Sequence, residues 1–279
     1  MNRKQICACT AAAGAAALGA WAAYENTAML CVREYRVPIA GLPRLVQISD
    51  LHRRRFGEHQ CRLLKAAAEQ APELIVITGD LISRTETDFT ETARFLRNLC
   101  EIAPVLTVCG NHEVDLPPEA YAAYRRAVAN SGAVPLDRKM RKIGGVTFAG
   151  LHLPPDYYRG GGMLGFTGKR TCTAETLRAQ FGECPPGTVL LAHNPLWFPA
   201  YAEWGAALTL SGHVHGGAVR LPGIGGVLSP ERTFFPRYDK GFFTIGDSAM
   251  IVSGGLGKLR LFNPPEICAI SATNTDAPS

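Results

Sequence analysis

Short apolar runs punctuate the chain at Arg44-Leu45-Val46-Gln47-Ile48-Ser49, Leu74-Ile75-Val76-Ile77-Thr78, Val105-Leu106-Thr107-Val108-Cys109, Val146-Thr147-Phe148-Ala149, Val189-Leu190-Leu191-Ala192 and Ala207-Leu208-Thr209-Leu210-Ser211. Runs of this length, bounded by Gly, Pro or polar residues, predict strands with both faces buried. Between the first three, Glu58 to Gln70 and Asp88 to Glu101 have helix-like patterning. Tyr121 to Asn130 is a further helical candidate, entered through Pro117-Pro118. The alternation predicts a β-α-β-α-β unit. From about Gly205 the helices stop, and short strands separated by Gly and Pro predict a second sheet. No internal repeat occurs, and only the tail after Ile270 has low complexity.

The N-terminus stands apart from this pattern. After Arg3-Lys4 a charge-free run extends from Gln5 to Tyr24 and is broken by Glu25. Its length is close to that of a spanning helix, but it is only weakly hydrophobic because alanine dominates it. Ala20 and Ala22 also fit a signal-peptide cleavage site of the A-x-A kind. Residues 1–34 are therefore expected to be a membrane anchor or a signal segment, with an Ala-rich soluble helix as the bland reading. Residues 35–271 are expected to be the main domain and 272–279 a disordered tail. Positive charge ahead of the run would place the main domain on the extracytoplasmic side. Arg33, Arg36 and Arg44 oppose that orientation, so secretion after cleavage and a cytoplasmic-face location stay as alternatives.

Composition narrows the classes. With 279 residues, 47% apolar and 19% charged, the chain can bury a substantial core and is not a disordered protein. The net charge of +5 includes Arg53-Arg54-Arg55 and a cluster from Arg138 to Lys142. Neither cluster has aromatic interleaving or a nucleic-acid motif, so nucleic-acid binding is not expected. The nine cysteines form no C-x-x-C pair, and most read as small apolar residues.

The chemistry lies immediately after the strands. The first run leads into Asp50-Leu51-His52, the second into Gly79-Asp80, and the third into Gly110-Asn111-His112-Glu113. The fifth leads into His193-Asn194 and the sixth into Gly212-His213-Val214-His215-Gly216-Gly217. The carboxyl ends of strands in open α/β sheets form one rim where ligands bind. Five of the seven histidines fall in these segments together with Asp50, Asp80 and Asn111. In D-x-H and H-x-H, residues two apart in an extended segment point to the same side and can reach one centre. Carboxylate, amide oxygen and imidazole without thiolate suit manganese, iron or zinc. The donors are too many for one tetrahedral ion, but two divalent ions sharing a carboxylate would use them all.

With those residues in hand, the chain resembles the calcineurin-like metallophosphoesterases. Their pattern of D-x-H, G-D, G-N-H-[DE], H and G-H-x-H is present in order from Asp50 to His215. The bacterial branch with an N-terminal membrane or signal segment is the most similar, and Leu261 to Ile267 also reads like that branch. The resemblance implies a four-layer α/β/β/α sandwich of two mixed sheets flanked by helices. It implies one ion on Asp50, His52 and His215, a second on Asn111, His193 and His213, and Asp80 bridging them. A hydroxide held between the ions would be the nucleophile, and His112 the candidate for protonating the leaving oxygen, with hydrogen bonding to a phosphate oxygen as its alternative role. Arg84 matches an arginine that grips phosphate in the phosphoprotein phosphatase branch. Where that branch carries a second acid that orients the catalytic histidine, this chain has Ser83, which leaves open how His112 is held.

The expected activity is hydrolysis of a phosphoester, a phosphodiester ahead of a monoester, on an envelope or lipid-linked substrate. A UDP-diacylglucosamine-type pyrophosphohydrolase is an alternative. A non-catalytic interaction module on the same fold would have lost ligands, and none is lost here. Outside the motifs, His59 reads as a surface residue and His152 as a structural one. The loop from Pro154 to Arg159 and the following Gly160-Gly161-Gly162 is a candidate lid. The oligomeric state is not legible.

Overall fold

Both faces of the apolar strands are indeed buried, and they serve different cores. In the computed structural model, which describes residues 3–159, 170–217, 219–221, 223–227, 234–258 and 260–273, the elements begin with α1 (Arg3–Thr27), β1 (Cys31–Val37) and β2 (Leu45–Ile48). There follow α2 (Cys61–Ala68), β3 (Leu74–Ile77), α3 (Thr90–Ile102), β4 (Val105–Thr107), the short α4 (Asn111–Val114), α5 (Pro118–Ala129) and β5 (Val134–Pro135). The second half comprises β6 (Lys139–Ile143), β7 (Val146–Gly150), α6 (Ala174–Phe181), β8 (Val189–Leu191), α7 (Phe198–Trp204) and β9 (Leu208–Ser211). The chain ends with β10 (Arg220–Leu221), β11 (Gly225–Gly226), β12 (Gly241–Ile245), β13 (Ser248–Val252) and β14 (Glu266–Ala272).

Two six-stranded sheets result, ordered β1-β14-β2-β3-β4-β5 and β12-β13-β9-β8-β7-β6. In the first, β2 through β5 run parallel and β14 is antiparallel to β2. In the second, β13, β9, β8 and β7 run parallel, with antiparallel β12 and β6 at the edges. The strand period of two sorts the side chains. Ile75 and Ile77 pack outward against Leu63, Phe95, Leu96 and Leu99 of α2 and α3. Leu74 and Val76 pack inward against Val189, Leu191, Leu208 and Leu210 of the other sheet. The outer face of the second sheet, including Leu190, Met250 and Val252, is covered by Leu177 of α6 and by Phe198, Tyr201 and Trp204 of α7. This is the expected four-layer sandwich.

Sheet membership departs from the sequence expectation. The second sheet does not start near Gly205 but at Lys139, while the last strand, β14, returns to the first sheet. A strand with two apolar faces carries no local mark of its sheet, which is decided by long-range pairing. The expected helix from Glu58 to Gln70 is also shorter. His59 and Gln60 have left-handed backbone (φ 47° and 66°), and α2 starts only at Cys61. The Gln60 side chain turns back to accept from the Phe56 amide at 2.8 Å and to donate to the Arg54 carbonyl at 2.8 Å, which fastens the preceding loop. The helices of Asp88–Glu101 and Tyr121–Asn130 form as α3 and α5, the first stopped ahead of Pro104 and the second entered at Pro118.

The N-terminal run is helical, but among the described residues no helix is long and apolar enough to cross a membrane. The boundary expected at residue 34 falls inside β1, which pairs with β14 from Cys31 onward. Ala272, expected in the tail, is the last residue of β14, and residues 274–279 lie outside the described residues. Most of α1 is exposed, whereas its last turn is anchored by the fully buried Glu25.

Candidate metal centre

The five motif segments meet at one rim because β2, β3 and β4 of the first sheet and β8 and β9 of the second end there. Asp50 and His52 follow β2, Asp80 follows β3, Asn111 and His112 follow β4, His193 follows β8, and His213 and His215 follow β9. The donor atoms fall into two groups within 4.8 Å: Asp50, His52, Asp80 and His215 in one, and Asp80, His193 and His213 in the other. Asp80 belongs to both. The amide end of Asn111 lies 2.8 Å from His213 Nδ1 and 3.1 Å from His193 Nε2, in the second group.

The backbone there is unusual. Asp50, His52, Asp80, His213 and His215 all have φ between 51° and 70°, a region that Asn, Asp and His tolerate better than other non-glycine residues. Each turn aims its side chain back over the strand end. Close approach needs glycine at two points: a Cβ on Gly110 would lie 2.6 Å from the Asp80 amide nitrogen, and one on Gly212 would collide with Ser49 and Asp50.

The donor set fits cations. His193 Nδ1 sits 2.7 Å from the Thr78 carbonyl and must carry the proton there, so its Nε2 lone pair faces Asp80 Oδ2 at 3.3 Å, His213 Nδ1 at 3.2 Å and the Asn111 amide. His52 Nε2 and His215 Nε2 face each other at 3.3 Å, with Asp50 Oδ1 3.2 Å from the latter. Two carboxylates and four imidazoles thus converge in two small, overlapping volumes, a donor set that suits bound cations. Burial alone would raise the Asp50 and Asp80 carboxyls, but His215 and His193 beside the first, and His193 and His112 beside the second, hold both below the usual carboxylate range. Burial disfavours the His193 imidazolium, yet Asp80 and Asp50 push it up to about 9, so without metal the pocket takes a proton. In a metal-bound state Asp50, His52, Asp80 and His215 would hold one ion, and Asp80, Asn111, His193 and His213 the other.

Around the cluster is a cleft of about 470 Å³ lined by His52, Ser83, Arg84, His112, Tyr158 and Lys258 among others. His112 Nδ1 accepts from the Arg84 backbone amide at 3.1 Å, which answers how the ring is held with Ser83 in place of an acid. The neutral ring therefore carries its proton on Nε2, facing the cleft. Burial is the main cause that lowers His112 to about 4, so the ring is neutral at pH 7. The Arg84 side chain lines the same cleft, 3.4 Å from Asp115. Tyr158 places its ring edge-on at 5.5 Å from His213, and Arg159 pairs with Asp115. The loop expected as a lid therefore lies against the site up to Arg159, and Gly160 to Gly162 lie outside the described residues.

Sequence reasoning missed Glu113. Its fully buried carboxylate accepts from the Asp80 amide at 2.9 Å, the Gly110 amide at 2.7 Å and the Ile82 amide at 3.2 Å, tying the loops after β3 and β4 together. Its only mark in the sequence was the acidic position closing Gly110-Asn111-His112-Glu113. Of the residues set aside, His59 is exposed as expected and paired with Glu91, whereas His152, expected to be structural, lies 3.5 Å from Asp137 and forms with it and Cys109 a further cluster of possible metal donors.

A sequence model of the calcineurin-like phosphoesterase family matches residues 43–217, which contain every ligand candidate. The chain belongs to the calcineurin-like phosphoesterase family. It is 25% identical to the uncharacterised metallophosphoesterase YkuE of Bacillus subtilis, over 95% of this chain and 94% of that protein. It is 25% identical to the phosphodiesterase YaeI of Escherichia coli, over 80% of each chain. It is 24% identical to the UDP-2,3-diacylglucosamine pyrophosphatase LpxG of Chlamydia muridarum, over 81% of this chain and 82% of that one. As a calcineurin-like phosphoesterase, the chain is a phosphoric ester hydrolase.

Proposed function

We propose that this calcineurin-like phosphoesterase is a two-metal phosphodiesterase, with manganese, iron or zinc in the ligand sets described above. The observation that carries the reading is the sharing of Asp80 between two converging donor groups. Held by those residues, two such ions would supply a water ionised near neutral pH and would neutralise charge on the phosphoryl oxygens. The protein's own residues do the rest. Arg84, steered by Asp115 at 3.4 Å, is positioned to hold a phosphate oxygen. His112 presents Nε2–H, with its Nδ1 fixed by the Arg84 amide, and donates that hydrogen bond to the leaving oxygen as charge develops there. Protonation of Nδ1 would set N–H against N–H, so the ring acts as a neutral donor. Tyr158 and Arg159 close one wall of the cleft and limit water beside the scissile bond.

The diester preference is supported by the similarity to YaeI, and the similarity to LpxG supports a pyrophosphate linkage as the second reading. The exposed, charge-free stretch of α1 following Arg3 and Lys4 supports attachment to a membrane surface. The test takes purified full-length chain, counts bound metal, and follows an aryl phosphodiester, an aryl monoester and a nucleoside diphosphate ester with added manganese. About two ions per chain and faster diester turnover support the proposal. Faster cleavage of the diphosphate ester moves the assignment to a pyrophosphohydrolase, and folded protein without metal or turnover overturns both.

A further inference from the structure

The end of α1 is wired into the metal centre. Both carboxylate oxygens of Glu25 are used on the segment before β14: one accepts from the Phe262 amide at 2.7 Å and the other from the Asn263 amide. Asn26 reads the neighbouring residue, its Oδ1 accepting from the Arg260 amide at 3.0 Å and its Nδ2 donating to the Arg260 carbonyl at 2.7 Å. The held segment then grips a ligand loop. Asn263 Nδ2 donates to the His215 carbonyl at 2.6 Å and to the Gly217 carbonyl at 2.9 Å. The Arg260 guanidinium lies 3.4 Å from the same His215 carbonyl.

A second arm reaches the other histidine of the same donor group. The Glu25 carbonyl accepts from Arg54 at 3.3 Å, and Arg54 is held to the Gly257 carbonyl at 2.9 Å. The Arg54 amide closes the turn that carries His52 by donating to Leu51 at 3.0 Å. Glu25, Asn263, Arg54 and Arg260 are all buried, so these bonds are made away from competing water. His52 and His215 both have left-handed backbone that the surroundings must enforce.

We propose that Glu25 and Asn26 are positioning residues for the Asp50, His52, Asp80 and His215 donor group, so that the N-terminal helix is a working part of the enzyme in addition to any role as a tether. The inference rests on the two-metal reading above. Cleavage after Ala22 would leave both residues on the mature chain, whereas loss of the whole expected segment to residue 34 would remove them.

The experiment compares full-length wild type with Glu25→Ala, Glu25→Gln, Asn26→Ala and Trp21→Ala, the last on the exposed part of the same helix. Manganese binding to metal-stripped protein is followed by electron paramagnetic resonance, with melting temperature measured in parallel. Glu25→Ala is expected to weaken one of the two manganese sites about tenfold and leave the other near wild type, the scale typical of residues that orient ligands. Glu25→Gln, which keeps one acceptor oxygen, should fall between, and Trp21→Ala should match wild type. Manganese affinities within about twofold of wild type in both Glu25 variants overturn the proposal even if melting temperature falls, because the role is then structural only. If Glu25→Ala does not fold, Glu25→Gln alone decides by the same criterion. Where wild type takes up zinc or iron in place of manganese, the same comparison is made with that ion; wild type that binds none of the three overturns the two-metal reading and this inference with it.

Discussion

Glu113 stabilises the site without facing the substrate. Removing its carboxylate would strand three backbone amides in a buried place, and each such donor costs roughly 1–3 kcal/mol. Glu113→Ala is therefore expected to destabilise the fold by about 3 kcal/mol or more, read by chemical denaturation of metal-stripped protein. The ligands themselves should respond differently. Asp80→Asn and His213→Ala are expected to abolish turnover and lower metal content, while His112→Ala keeps both metals. The rate lost in His112→Ala should grow as the leaving group of the diester becomes poorer, and equal loss across the series would contradict contact with the leaving oxygen. His193 fixes the sign of a pH effect. With its imidazole raised to about 9, the metal-free protein holds a proton that an incoming ion must displace. Manganese affinity should fall as pH drops from 9 to 6, and binding at pH 7 should release protons, measurable by titration in buffers of different ionisation enthalpy. At this scale the sequence was most informative: every ligand candidate reaches the cluster, because residue type and the offset from a strand end are local properties. The holding of His112 was not legible, since the partner is the backbone amide of Arg84 and no side-chain pattern encodes it.

At the scale of elements, tight turns after strands do the positioning. Gly212 is packed against Ser49 and Asp50, so a methyl group there must displace the loop after β2 or the loop after β9. Gly212→Ala is expected to give a folded protein with reduced metal content, checked by metal analysis of the soluble, folded fraction. Strands were legible from their apolar runs, and α3 and α5 from their periodicity and prolines. The shortening of α2 was not, because Gln60 leaves the helix to satisfy two backbone groups of the preceding loop. The register of α1 on the domain was equally hidden, because the contacts of Glu25 are with residues near the other end of the chain.

The whole molecule places the cluster across a seam. Asp50, His52, Asp80 and Asn111 belong to the first sheet, and His193, His213 and His215 to the second. Beneath them the buried Gln47 spans the same seam, donating to Thr78 at 3.0 Å and to the Ser211 carbonyl at 2.8 Å. Ions bound there would clasp two sheets that are otherwise joined by apolar packing and by a few hydrogen bonds such as those of Gln47 and of the His213 amide to Asp50. An ion that binds only the native state at a hundred times its dissociation constant adds about 2.7 kcal/mol. Chelation is therefore expected to lower the melting temperature by several degrees, with a larger increase in amide exchange along β2 and β9 than along β6 and β12. Which strands form which sheet was the part of the architecture least legible in sequence, because pairing between distant segments leaves no periodic trace.

The placement of β14 between β1 and β2 has a kinetic consequence. These two strands leave the ribosome early, but each lacks a neighbour on one side until Glu266 to Ala272 has been made. Closure of the first sheet waits for nearly complete translation, and the long sequence separation makes that step slow. Until then β1 has no strand to pair with and β2 keeps one open edge, so the last step of sheet assembly falls after the final strand has been made.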